Sequence, residues 1–205
     1  MRRLLGITAG VLALGACAPD PPSAIVGIRA EGCGGHVGSG AFIGVDTVLT
    51  AAHTVAGAES LTVISGGRSL PAELIALDAD NDLALVRADG PRGEPLPMHT
   101  HRVEPGSAAV AYVVRDGEVL GLPVTIVRWV TVETTDIYRE EEVSRPGLEI
   151  SGAIEPGDSG AAVVAGGKLV GVVWARSNQS LGRSYATDPA AVPTPTRTER
   201  GRCVG

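Results

Sequence analysis

Gly157-Asp158-Ser159-Gly160 is the stretch on which the reading of this chain turns. Two earlier segments complete it, Thr50-Ala51-Ala52-His53 and Asn81-Asp82-Leu83-Ala84-Leu85. In chain order they offer a base, an orienting carboxylate and a nucleophile: His53, Asp82 and Ser159. A serine hydroxyl is a poor nucleophile at its free pKa, and it needs a base to take its proton as it attacks a carbonyl. An imidazole held in one tautomer by a carboxylate is such a base. Gly157 and Ser159 can turn backbone N–H groups toward a developing oxyanion, and Gly157 has no Cβ to block the approach. Asp158 calls for a positive partner behind the site, which the sequence does not name.

Each segment alone is weak. Gly-Asp-Ser-Gly also makes an ordinary turn, and a histidine after two alanines also packs in cores. Asp78 and Asp80 lie near Asp82 and carry the same group. Asp82 is favoured because the apolar run Leu83-Ala84-Leu85-Val86 begins directly after it, which puts it at a strand edge.

Outward from these segments, β-branched runs alternate with Gly, Pro, Asp and Ser, and helical stripes are few. That pattern predicts an all-β body. Strands are expected at 25–29, 38–44, 47–50, 60–65, 69–78 and 83–88, with a short helical turn within 51–58. A second set is expected at 108–114, 124–134, 149–151, 161–165, 168–177 and 184–187, with Gly166-Gly167 as a hairpin signal. Residues 89–105 hold four prolines and two glycines and read as a connection. Two sets of about six strands predict two small β-barrels.

The chain resembles the trypsin-like serine peptidases of the chymotrypsin fold. The resemblance rests on Gly38-Ser39-Gly40-Ala41-Phe42-Ile43, Val48-Leu49-Thr50-Ala51-Ala52-His53, Asn81-Asp82-Leu83-Ala84-Leu85-Val86, Gly157-Asp158-Ser159-Gly160-Ala161 and Leu169-Val170-Gly171-Val172-Val173. It covers roughly residues 25–192. It implies two six-stranded antiparallel β-barrels of the chymotrypsin type with the active site between them. It also implies peptide-bond hydrolysis through an acyl-enzyme, with His53, Asp82 and Ser159 as the triad and Gly157 and Ser159 as the oxyanion hole. Neither a metal nor an organic cofactor is expected. The substrate is expected to be a protein or peptide.

Specificity is read from the same resemblance. Ala153 stands where trypsin-like enzymes carry the charged base of the specificity pocket, so cleavage after Lys or Arg is not expected. Ala153, Ile154, Trp174 and Ala175 suggest a modest apolar pocket. Arg176 and Arg183 either admit an acidic substrate side chain or face solvent, the commoner place for arginine. After Val173 the chain departs from the family's Ser-Trp-Gly pattern, and Arg176 replaces its glycine. A bulky Arg176 in the cleft keeps open a second reading, a non-catalytic or resting-state-closed binding protein on the same fold.

The N-terminus reads as an export signal over residues 1–16: Arg2-Arg3, an apolar run from Leu4 to Leu14, then Gly15-Ala16. Leu14-Gly15-Ala16-Cys17 also resembles the bacterial lipoprotein signal, with Cys17 as the lipidated residue. An ordinary secretory signal is the alternative. Residues 17–24 then form a tether, 25–100 the first barrel, 101–192 the second and 193–205 a tail. The expected location is the bacterial cell envelope, with membrane contact through Cys17 only, or otherwise secretion. With Cys17 lipidated, Cys33 and Cys203 remain, and an exported protein can hold them as a disulfide. Two free thiols, or pairing through an unlipidated Cys17, remain open.

The 205 residues carry a formal charge of -6 with both signs mixed along the chain, and only one Phe, two Trp and three Tyr. No basic stripe or aromatic platform points to nucleic acid. Glu140-Glu141-Glu142 reads as a solvated turn. His99 and His101 lack the further ligands of a metal site. The dense glycines from Gly32 to Gly40 lack a phosphate-binding motif and read as turns.

Overall fold

The computed structural model describes residues 20–33, 35–90, 93–194 and 201–204. The proposed signal at 1–16 and Cys17 lie outside these residues. Among the described residues, twelve strands follow from the alternation of β-branched runs with turn residues. The first six are β1 (Ile25–Glu31), β2 (His36–Phe42), β3 (Thr47–Thr50), β4 (Ser60–Ser65), β5 (Arg68–Asp78) and β6 (Leu83–Ala88). A single helical turn, α1 (Ala52–Val55), interrupts them. They pair in the order β1-β2-β3-β6-β5-β4, and β1 also pairs with β4, so the sheet closes as a six-stranded antiparallel barrel. Gly66 and Gly67, at φ +54° and +76°, make the two-residue turn that joins β4 to β5. Left-handed φ at both positions suits the right-handed twist of the strands. Phe42, Val26, Val48, Val63 and Val86 share one face of the strands, fill the interior and are buried. Truncating Phe42 to Ala would cost about 3–5 kcal/mol through lost burial and the cavity left behind.

The second sheet holds β7 (Ala108–Arg115), β8 (Glu118–Thr135), β9 (Glu142–Ser151), β10 (Ala162–Ala165), β11 (Lys168–Arg176) and β12 (Arg183–Thr187). Its order is β10-β11-β12-β9-β8-β7, and β7 returns to β10, so the hydrogen bonding closes into a ring. Leu148, Ile150, Ile126 and Val163 are buried inside it.

Here the expectation of two six-stranded barrels is corrected. The all-β character stands, and the second sheet, like the first, closes on itself through six antiparallel strands, but as a ring that both ends of β8 overrun rather than as a plain barrel. The reason lies in β8, which at 18 residues outruns its neighbours. At its start, 118–120 pair only with 113–115 of β7, because β10 meets β7 at 110–112. At its end, 131–135 pair only with 142–146 of β9, because β12 meets β9 at 147–151. Both ends therefore leave the ring as two-stranded ribbons. Register breaks at Val163/Val164, Val173/Ala175 and Ile126/Arg128 bend the ring further, since each extra residue disrupts the ladder and kinks its strand.

The first ribbon lies on the barrel, where Val114 N donates to Ser39 Oγ at 2.8 Å. Between barrel and ring, the connecting segment bonds to both. Leu96 N donates to Phe42 O, and His99 N to Leu169 O. A disulfide links Cys33 to Cys203 across 170 residues of chain, with Cα atoms 5.3 Å apart. It pins residues 201–204 beside Gly57, whose positive φ and 2.7 Å clearance to Cys203 N leave no space for a side chain.

Candidate active site

β3 ends at Thr50, and Ala51 and Ala52 are fully buried. Their small side chains let the chain turn directly off the barrel, so His53 stands at the barrel's edge. Asp82 occupies the turn between β5 and β6 with φ +54°, a conformation that Asp tolerates better than most residues. Its carbonyl accepts from Ala52 N at 3.2 Å, and its Oδ1 accepts from His53 N at 2.9 Å. These bonds hold turn and helix to each other through the backbone. Asp78 is used up locally, since its carboxylate accepts from Asp80 N, Asn81 N and Asn81 Nδ2.

Asp82 Oδ2 lies 2.7 Å from His53 Nδ1, and His53 Nε2 lies 2.8 Å from Ser159 Oγ. A carboxylate only accepts, so the proton belongs on Nδ1 and the Nε2 lone pair faces the serine hydroxyl. The structure thus brings together His53 and Asp82 from the barrel and Ser159 from the ring. Asp82 is 3% exposed and His53 partly buried. Burial acts to lower the His53 pKa, but the charge and hydrogen bond of Asp82 outweigh it and raise the imidazole above its ordinary 6.5. The positive charge of Arg145 opposes that rise.

Ser159 is clamped from both sides. Its carbonyl accepts from Ser39 N of β2, and Gly160 N donates to Val173 O of β11, both at 2.8 Å. Gly160 sits at φ +80°, and a Cβ there would come 2.0 Å from Ser39 O, so only glycine fits. Gly157 sits at φ +97° with open space around it. Among the described residues, neither Gly157 N nor Ser159 N donates to another backbone group.

Asp158 is 1% exposed. Its partner is Arg115, at the end of β7 just before the Asp116-Gly117 turn. Arg115 Nε and Nη2 donate to the two Asp158 oxygens at 2.9 and 2.6 Å. Glu155 N donates to the same carboxylate at 2.7 Å. The hydrogen bond to Asp158 is the main reason the Arg115 pKa lies above its ordinary value. Arg115 had no signal in the sequence beyond an unpaired demand at Asp158, because a β-ribbon brings it in across 43 positions.

A pocket of about 260 Å³ opens beside Ser159. Ile154, Val173, Trp174, Ala175 and Arg176 are among its lining. Ala153 is exposed and lies outside that lining, with its carbonyl near Arg115 Nη2 at 3.4 Å. Arg183 also lies outside it and faces Glu149, with Nε 3.8 Å from Oε1. Arg176 is exposed on the pocket wall. Among the described residues, no group of three or more His, Cys, Asp and Glu is arranged to hold a metal.

A family model described as "Trypsin-like peptidase domain" matches residues 38–172. The chain is 31% identical over 143 residues to the serine protease Rv3671c of Mycobacterium tuberculosis strain H37Rv, covering 67% of this chain and 35% of that protein. It is 28% identical over 156 residues to a probable periplasmic serine endoprotease, DegP-like, of Halomonas elongata, covering 73% of this chain and 32% of that one. The chain spans about a third of the length of these curated relatives. Among solved structures, the active form of the Rv3671c protease superposes with a TM-score of 0.81 at 23% identity, covering 99% of this chain and 100% of that one.

Proposed function

The chain belongs to the trypsin-like peptidase domain family, and from that membership we propose that it is a serine endopeptidase acting on protein or peptide substrates through an acyl-enzyme. The observation that carries the reading is the continuous contact from Asp82 through His53 to Ser159 at 2.7 and 2.8 Å.

In this mechanism Ser159 Oγ attacks the scissile carbonyl while His53 Nε2 takes the hydroxyl proton. Asp82 keeps Nδ1 protonated and stabilises the imidazolium. The N–H groups of Gly157 and Ser159 receive the oxyanion. The C–N bond breaks as His53 returns the proton to the departing amine, and water then releases the acyl group by the same steps. Arg115 fixes Asp158, the residue between the two donors. Such preorganised donors are worth about 2.7–4 kcal/mol of transition-state stabilisation each.

Ile154, Val173 and Ala175 favour a small or medium apolar side chain at the bond to be cut. The pocket offers no buried carboxylate to a lysine or arginine. Export to the cell envelope fits the leader-like residues 1–16, the Cys33–Cys203 disulfide and the periplasmic relative. Lipidation at Cys17 and the unit boundaries 17–24, 25–100, 101–192 and 193–205 belong to the same proposal. Intact mass of membrane-extracted protein would carry a diacylglycerol on Cys17 if this is right, and an unmodified chain starting elsewhere would refute it.

The test of the activity is a fluorophosphonate probe on the wild type and Ser159→Ala, with the adduct located by peptide mass. Labelling confined to Ser159 is expected. A folded wild type that stays unlabelled would favour the closed or binding role over catalysis.

A further inference from the structure

The Asp82 turn is held from outside the barrel. Arg145 Nε, on the second β8–β9 ribbon, donates to Asp80 O at 2.7 Å. Thr187 Oγ1 of β12 donates to Asn81 O at 2.9 Å. The two carbonyls that precede Asp82 are thus both taken by the ring, and they help fix its left-handed φ. Arg145 Nη1 lies 3.9 Å from Asp82 Oδ2, the oxygen that also faces His53 Nδ1. Arg145 Nη2 donates to Thr135 O at 3.3 Å. The guanidinium carbon sits 4.2 Å from the ring centroid of Trp174, which lines the cleft pocket.

Arg145 is only 3% exposed. Burying a guanidinium is costly unless charge and hydrogen bonds repay it. The carbonyls of Asp80 and Thr135 need only donors, which a neutral glutamine amide supplies, so they do not account for the charge. The acids around the guanidinium are Asp78, Asp80 and Asp82 of the turn and Asp136 of the β8–β9 connection. Asp78 is committed to its own turn, and Asp136 Oδ1 accepts from Glu140 N. Asp82 is the acid whose carboxylate bonds to a reacting group. Around His53 the charged groups are Asp82 and Arg145, with the Ser159 hydroxyl as its neutral partner.

We propose that Arg145 is a positioning residue for the His53–Asp82 pair: it carries the aspartate turn of the barrel on the ribbon of the ring and draws part of the Asp82 charge away from His53. This rests on the triad reading above. The ribbon that prevents the second sheet from being a plain barrel is the element that delivers this charge. Trp174 extends the same clamp to the substrate-facing strand.

The test uses Arg145→Gln and Arg145→Lys in the full chain, with kcat and KM on a peptide substrate and the rate of fluorophosphonate labelling between pH 5 and 9. In Arg145→Gln the acid limb of kcat/KM moves to higher pH, because His53 loses the charge that opposes Asp82. Its plateau kcat falls about tenfold or more with little change in KM, the signature of a misplaced base. Arg145→Lys keeps the wild-type acid limb but not the full plateau, because an ammonium cannot copy the planar fork. An acid limb unmoved in Arg145→Gln reduces Arg145 to packing and overturns the proposal. If Arg145→Gln does not fold, a wild-type plateau in Arg145→Lys overturns it instead. A wild type that neither labels nor cleaves defeats the triad reading itself, a distinct result.

Discussion

Arg115 grips both oxygens of Asp158, at 2.9 and 2.6 Å, one residue before the nucleophile candidate. The arginine is about a third exposed while the aspartate is shut away from water. Removing the guanidinium leaves a buried carboxylate with only the Glu155 N–H among its bonds described here. Arg115→Met should therefore cost about 1–3 kcal/mol of stability, read as a lower urea midpoint. Catalysis should suffer more than binding, since the Gly157 and Ser159 donors lose their support. A variant with wild-type kcat would show that the oxyanion loop holds its shape without Arg115.

His53 must be neutral to act as a base, and its pKa is raised above 6.5 because Asp82 outweighs the effect of burial. Activity should consequently rise with pH through a midpoint above 6.5. Stability runs the other way. A raised folded-state pKa stabilises the protonated protein fully below the unfolded value, and that contribution fades as pH rises through the folded value. Urea midpoints of the wild type should fall relative to His53→Gln across that window. An activity midpoint below 6.5 would contradict the assigned environment.

Asp82→Asn removes the charge that raises His53 and can present an amide donor where an acceptor is needed. The acid limb of labelling should move to lower pH, and kcat should drop on the order of 10⁴-fold, as when the histidine of a comparable triad is left in the wrong tautomer. Asp78→Asn, at a carboxylate spent on its own turn, should change kcat far less. Comparable losses in both variants would undo the choice of Asp82.

The Cys33–Cys203 bridge closes a 170-residue loop, and such closures stabilise by about 2–4 kcal/mol, chiefly through the unfolded chain. Replacing both cysteines by Ser should lower the thermal midpoint by several degrees. Because the bridge packs beside Gly57, beyond the end of the His53 helix, the His53–Ser159 contact should survive. Fluorophosphonate labelling of the folded double variant should therefore persist.

Much of this architecture was legible because its causes are local. Strand period, Gly-Gly turns and an apolar run after Asp82 depend on neighbours a few positions away, and they located the strands to within two residues except β8 and β9, the latter expected at 149–151 but spanning Glu142–Ser151. Val124–Thr134 was expected as one strand, whereas β8 spans Glu118–Thr135. The added residues include Gly121 and Pro123, which pair with β7 as ordinary rungs. The disulfide was one of several pairings the three cysteines allowed, and the geometry chose among them.

The sequence by itself determined the all-β character, the order of histidine, aspartate and serine, and the glycines without which the serine turn could not approach β2. Only the tertiary structure decided what stands behind those residues. It closed the second sheet as a ring whose long β8 throws out two ribbons, and those ribbons set Arg115 on Asp158 and Arg145 on the carbonyl of Asp80, beside Asp82. An arginine has no periodicity that reveals its partner. Its placement across 43 or 65 positions follows from strand length, register and the direction in which a ribbon leaves its sheet, none of which is written in the residues next to it.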